Sequence, residues 1–165
     1  MMTAQGDRRP NREIERKFKV THDGWRGQVV GDPVPMRAGY LSRRKQAVVR
    51  VRFEGELAVL TIKGAATDAH GRERAEYNLP IAVEDADEIL ASDMLDGGVV
   101  SKLRHNVRVG DSCFVVDEFL HPRPGLVLAE IELEAADQPF ERPDWLGEEV
   151  TADPGYANAV IAAEA

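Results

Sequence analysis

The sequence predicts an α+β fold: about eight antiparallel strands that close, or nearly close, into a barrel, with two or three helices beside them. Three observations predict it. Apolar and charged residues alternate with a period of two over most of residues 13–134, which is the signature of a strand. These runs are short and evenly spaced, with turn residues between them, as in antiparallel sheets that close on themselves. Only two stretches carry a clear helical period.

The elements follow in order. Residues 1–12 are polar and read as a flexible N-terminal arm, which leaves 13–165 as a single domain. Residues 13–20 place Glu13, Glu15, Lys17 and Lys19 on one face and Ile14, Phe18 and Val20, with Arg16, on the other. A short helix is expected over 22–30 and a strand over 38–43. Residues 47–54 and 57–63 form a hairpin around Gly55-Glu56, with Arg50 and Arg52 on one face against Val49, Val51 and Phe53. Residues 72–81 group Arg72, Arg74, Glu76 and Asn78. A helix over 84–95 opens with acids, where the helix dipole favours them. Residues 99–109 align Lys102, Arg104, Asn106 and Arg108, and 113–119 is an apolar strand carrying Asp117 and Glu118. Residues 126–134 align Glu130, Glu132 and Glu134, and a last helix over 154–163 opens at Asp153-Pro154.

Composition bounds the function. The chain has 165 residues, enough to bury one sizeable core, and is 43% hydrophobic and 30% charged. No apolar run approaches the roughly 20 residues of a membrane span, and the N-terminus lacks the apolar core of a secretory signal. The one cysteine, Cys113, excludes an intrachain disulfide and a cysteine-based zinc site, and it points to the cytoplasm. A formal charge of −8 lacks the basic footprint of a nucleic-acid binder. Neither a nucleic-acid nor a membrane partner is expected, and a monomer and a homodimer both remain open.

Charged faces on one strand need no function, since an antiparallel sheet often keeps one face wet. Here at least six strands carry charge at every second position, and the charges are sorted: Arg50 with Arg52, Lys63, Arg74 and Lys102 with Arg104, against Glu13 with Glu15 and Glu130 with Glu132. If these faces point into a barrel, the cations converge where an unpaired charge is costly, and they require an anionic guest. Arginine suits phosphate oxygens. The carboxylates would repel such a guest unless a hard divalent cation, Mg²⁺ or Mn²⁺, lay between them. The residues alone therefore suggest a metal–polyphosphate site.

The sequence also resembles the CYTH superfamily, the triphosphate tunnel metalloenzymes. Glu13-Ile14-Glu15-Arg16-Lys17 is similar to its ExExK signature. The rest follows in order over about residues 13–163: Gly39-Tyr40-Leu41, Arg50-Val51-Arg52, Leu60-Thr61-Ile62-Lys63-Gly64 and Arg74-Ala75-Glu76-Tyr77. Then come Lys102-Leu103-Arg104, Val116-Asp117-Glu118-Phe119, Ala129-Glu130-Ile131-Glu132 and Trp145–Thr151. The resemblance implies an eight-stranded tunnel that takes a small-molecule triphosphate with Mg²⁺ or Mn²⁺. It implies Glu13, Glu15, Glu130 and Glu132 as metal ligands, and Arg50, Arg52, Lys63, Arg74, Lys102 and Arg104 as triphosphate ligands. It also implies Lys17 and Tyr40 as residues that activate water. One departure is Asn78, which stands where the family often carries a second acid.

Lys17 can equally be a plain phosphate ligand or an ion-pair partner of Glu15. An amine buried among cations would have a lowered pKa and could act as a base. Asp117 either joins the metal ligands or caps a turn. His105, Trp25 and Trp145 are expected to pack outside the tunnel, and Cys113 to be a small buried hydrophobe. The leading expectation is hydrolysis of inorganic tripolyphosphate to pyrophosphate and phosphate. The alternatives are an adenylate cyclase, a thiamine or nucleoside triphosphatase of the same fold, and a polyphosphate- or nucleotide-binding module without turnover.

Overall fold

The computed structural model describes residues 12–165. The expected arm lies outside the described residues except for Arg12, which opens the first strand. The strands are β1 (Arg12–Val20), β2 (Val29–Arg44), β3 (Ala47–Glu54), β4 (Leu57–Ala66), β5 (Glu73–Pro80), β6 (Val100–Val109), β7 (Ser112–His121), β8 (Val127–Glu132) and β9 (Leu146–Glu149). The helices are α1 (Val83–Leu90) and α2 (Asn158–Ile161). Neighbours run β5-β4-β3-β2-β6-β7-β8-β1, and β5 pairs again with β1, so eight strands close an antiparallel barrel. The ninth strand, β9, lies along β1 beyond the point where β5 leaves it.

The alternation sorts the side chains between tunnel and exterior. The apolar faces are covered from outside by two cores. Phe18, Phe114, Val116 and Ile131 lie under Trp25 and Trp145, and Phe114 meets Trp145 edge to face at 5.4 Å between ring centroids. His105 packs on Trp25 in the same layer at 4.9 Å, as expected. On the other side, Ala86 and Leu90 of α1 pack on Val51 and Phe53 of β3. Gly39 permits that approach, because a Cβ there would lie 2.8 Å from a Leu90 methyl and 2.9 Å from Leu95. A third core of Tyr40, Phe119, Leu128, Ile161 and Ala162 fills one end of the barrel beneath the C-terminal segment. Among the described residues, no helix is long and apolar enough to cross a membrane.

Several elements differ from expectation for physical reasons. The helix expected over 22–30 is a 3-10 turn, Asp23–Gln28, followed directly by β2. That strand is 16 residues long and includes Pro33 and Pro35, which the sequence marks as breakers. Pro33 falls in a bulge between Val30 and Val34, with Gly31 at φ +77°, and Pro35 stands in register opposite Leu103. The helix over 84–95 stops at Leu90, where the Ser92 hydroxyl donates to the Ile89 carbonyl. The helix over 154–163 breaks into a 3-10 turn, the short α2 and another 3-10 turn. Strand β9 was not expected. It has four residues, too few to show a period. Cys113 is exposed rather than buried. It lies on the tunnel-facing row with Val115 and Asp117, at the open mouth, while its neighbour Phe114 takes the apolar exterior face.

Candidate functional site

The tunnel interior contains a cavity of about 170 Å³ that brings together Glu13, Glu15 and Lys17 of β1, Tyr40 of β2, Arg50 and Arg52 of β3, Lys63 of β4, Arg74 of β5, Arg104 of β6 and Glu130 of β8. Adjacent strands run antiparallel in direct register, Tyr40 opposite Arg50 and Lys17 opposite Glu130, so alternate positions from each converge. Toward one end it opens into a mouth of about 770 Å³ that shares Glu13, Glu15, Arg52, Arg104 and Glu130 and adds Glu132. Toward the other end, Val150, Thr151, Tyr156 and Asn158 of the C-terminal segment line it. Lys102 lies apart, lining a 20 Å³ void with Tyr40, Arg50 and Arg52.

The charges are not evenly paired. Lys63 Nζ lies 2.7 Å from Glu13 and 3.2 Å from Glu76. Arg74 reaches Glu13 at 3.5 Å and Glu15 at 3.3 Å. Burial, then Glu15 two residues on, push the Glu13 carboxyl up to about 9 despite Lys63. The neighbouring Glu76 carboxyl is held at about 2 against burial by Glu13, by the charge of Lys63 and by the hydrogen bond from Asn78. Burial also opposes ionisation of Glu130, but Lys17, Lys102 and Arg104 outweigh it and hold that carboxylate far below its usual range. Shifts of this size, in a cavity, mark functional sites.

Lys17 is 7% exposed, lies 3.2 Å from Glu130 and donates to the Tyr156 carbonyl at 3.2 Å. Burial pulls its pKa down, but Glu130 and Glu15 pull harder and raise it. The structure thus gives this amine carboxylate neighbours, not cationic ones, and keeps it charged. The amine whose pKa is lowered is Lys102, by burial and by Arg104, with Asp117 opposing.

Asp117 pairs with the cations of β6. Lys102 lies 2.5 Å from it and Arg104 donates two hydrogen bonds, at 2.8 and 2.9 Å, so both oxygens are engaged by buried cations. It is the counter-ion of β6 and caps no turn. Glu132 is exposed and borders the mouth only. Arg50, by contrast, has no ion pair among the described residues, and Arg52 has only Glu54 at 3.4 Å. Burial and Arg50 lower the pKa of Arg52, the mark of cations short of an anion.

The structure adds residues that the sequence did not single out for the site. Glu76 was visible in the alternation of 72–81, but only its contacts with Lys63 and Glu13 give it a place. Asn78 supports it: Thr61 donates to Asn78 and Asn78 donates to Glu76, each at 2.8 Å. Thr151, Tyr156 and Asn158 reach the cavity through tertiary packing and leave no local signal. Among the described residues no three acidic, histidine or cysteine side chains converge on one point. Even so, Glu13, Glu15 and Glu130 present hard oxygen donors around the cavity, a donor set that suits a hard divalent cation.

With this geometry in view, comparisons with known proteins agree in one direction. Residues 11–158 match the CYTH domain. An inorganic triphosphatase of Acetivibrio thermocellus is 41% identical over 148 residues, 90% of this chain and 91% of that protein. An inorganic triphosphatase of Nitrosomonas europaea is 34% identical over 156 residues, 91% and 96% of the two chains. A crystal structure of an inorganic triphosphatase superposes with a TM-score of 0.63 at 32% identity, covering 92% of this chain and 97% of that one. A protein from Pyrococcus horikoshii, 18% identical, superposes at 0.56 over 75% and 80% of the chains and shares the fold alone.

Proposed function

The chain belongs to the CYTH domain family, and from that premise we propose that it is a triphosphatase that cleaves inorganic tripolyphosphate to pyrophosphate and phosphate inside the barrel, with Mg²⁺ or Mn²⁺. The observation that carries this reading is the sorting of charge across one cavity: under-compensated Arg50 and Arg52 on one wall, and carboxylates of β1 and β8 on the other. Two relatives at 41% and 34% identity that are inorganic triphosphatases support it.

Phosphoryl transfer asks for in-line placement and charge neutralisation more than for covalent help. Arg50, Arg52, Lys63, Arg74 and Arg104 neutralise the phosphate oxygens and fix the chain's register, and Lys102 backs Arg50 and Arg52. Glu13, Glu15 and Glu130 would hold the cation, with Glu132 at the mouth. When bound, that cation polarises phosphate oxygens and offsets charge on the leaving group. Water oxygen attacks phosphorus, the anhydride P–O bond breaks, pyrophosphate departs with the bonding electrons, and the proton the water loses passes to a phosphate oxygen. Lys17, held charged by Glu130, donates to the reacting phosphate and, with the Tyr40 hydroxyl, orients the water. Nothing in the deep cavity asks for a base or a thiazole. The wide mouth leaves room for one outside it, so ATP and thiamine triphosphate are the proper competitors.

The test is release of phosphate from tripolyphosphate, ATP, thiamine triphosphate and pyrophosphate, with cyclic AMP followed in the ATP samples. A preference for tripolyphosphate of tenfold or more is expected, lost on chelation and restored by Mg²⁺ or Mn²⁺. Equal or faster turnover of ATP or thiamine triphosphate, or formation of cyclic AMP, would replace the substrate assigned. Tight binding of tripolyphosphate without turnover would make the protein a binding module.

A further inference from the structure

Asn158 sits at the start of α2, in a C-terminal segment that is pinned from several sides. Asp153 caps Gly155 at 2.9 Å, Arg123 donates to the Gly155 carbonyl at 2.8 Å, Lys17 donates to the Tyr156 carbonyl, and Gly98 donates to the Ala162 carbonyl at 3.0 Å. The segment therefore presents Asn158 at a fixed place. That place borders both the main cavity and the small void beside it, so Asn158 shares walls with Tyr40, Arg50 and Arg52. Its Oδ1 is buried and, among the described residues, has no hydrogen-bond partner. The Nε atoms of Arg50 and Arg52 are also buried and without partners there.

Buried polar atoms are paired in the great majority of cases, and leaving one unpaired costs free energy. Here an orphan acceptor and two orphan donors line one space. The surrounding charge is cationic and short of an anion. A carboxylate in place of Asn158 would satisfy the arginines permanently and repel a phosphate. An amide can serve both sides, accepting from a guanidinium through Oδ1 and donating to a phosphate oxygen through Nδ2.

We propose that Asn158 is a substrate-binding residue, supplied by the C-terminal segment, whose amide Nδ2 donates to the phosphate held by Arg50 and Arg52. This rests on the triphosphatase reading and extends it: the phosphate-binding set is completed by a group outside the barrel strands. Asn158 thereby selects for a fully ionised phosphate oxygen at that end of the chain.

The test measures KM and kcat for tripolyphosphate, and the rise in Tm that tripolyphosphate produces, for wild type, Asn158→Ala and Asn158→Asp. A lost hydrogen bond to a charged group is expected to raise KM about tenfold in Asn158→Ala, with the basal Tm close to wild type. Asn158→Asp keeps the shape, so it tests the site even if the alanine variant is poorly folded. It is expected to lose about 100-fold in kcat/KM and most of the ligand-induced Tm rise. A folded Asn158→Asp protein with wild-type KM and Tm rise would overturn the inference and leave the triphosphatase reading standing. Wild-type protein that neither binds nor cleaves tripolyphosphate would overturn both.

Discussion

Asp117 shows what a single buried charge does here. It is 2% exposed and engages Lys102 and Arg104 across the β6–β7 pairing, where Arg104 stands directly opposite it. Removing it would strand two buried cations, and breaking such a pair costs about 3–5 kcal/mol. Asp117→Ala is expected to lose stability on that scale in urea unfolding, whereas replacing an exposed acid such as Glu134 should change it by less than about 0.5 kcal/mol. A shift in unfolding midpoint no larger than that of the Glu134 variant would show that the triad contributes nothing net. From sequence, Asp117 was legible as an interior acid but not as a counter-ion. That role depends on which residue β6 places opposite it, and cross-strand register is not written in either strand alone. The same holds for Glu76, whose place follows from Lys63 on the neighbouring strand. The residues on alternating faces of β1, β3 and β6 were legible because each strand has one wet and one dry side.

At the scale of elements, β9 and the segment after it are the least legible and among the most consequential parts. Four residues carry no period, yet Glu149 of β9 accepts from Arg16 of β1 and from Arg72 in the loop before β5. Thr151 then joins Glu149 to the Lys17 backbone. The cluster fixes the end of the tunnel to its wall. Although burial works against ionisation, Arg16 and Arg72 hold the Glu149 carboxyl at about 2, below its ordinary value of 4.5. A depressed acid contributes its stability in full above the unfolded value and loses it as pH falls through the folded value. Glu149→Gln should therefore lower Tm at pH 7, and the gap to wild type should shrink as pH drops from about 4.5 toward 2. A gap that stays constant across that range would mean that the carboxylate charge is not what anchors the segment. The bulged start of β2 was hidden for a different reason. Two prolines argue locally against a strand, and only pairing with β6 overrides them.

Across the whole molecule, the surface is acidic and the tunnel holds under-compensated arginines. An anion that fills it binds the folded state only, so it must stabilise the protein. Tripolyphosphate at 100 times its dissociation constant is expected to add about 2.7 kcal/mol. For a domain of this size that is a Tm rise of about 5–10 °C. Raising KCl from 50 to 500 mM should reduce the rise, because added ions screen the attraction. A rise that is insensitive to salt would argue that contacts other than charge dominate. The closed sheet was legible as a whole because spacing and alternation persist over so many strands. Its point of closure was not legible, because it consists of three residue pairs between β1 and β5.

Strand β1 is also the earliest described strand to leave the ribosome, and it supplies Glu13, Glu15 and Lys17. Its partners β8 and β9 are among the last to emerge. At 5–20 residues per second, the interval from β1 to β9 is on the order of 10 s. Until β8 emerges the nascent chain displays β1 with an unpaired edge, and Lys17 waits without Glu130. Local pairings such as β3 with β4 can form meanwhile, and the long-range closure must follow, as slow folding of high contact order implies. The charged cavity therefore cannot trap cellular phosphates before the chain that encloses it is nearly complete.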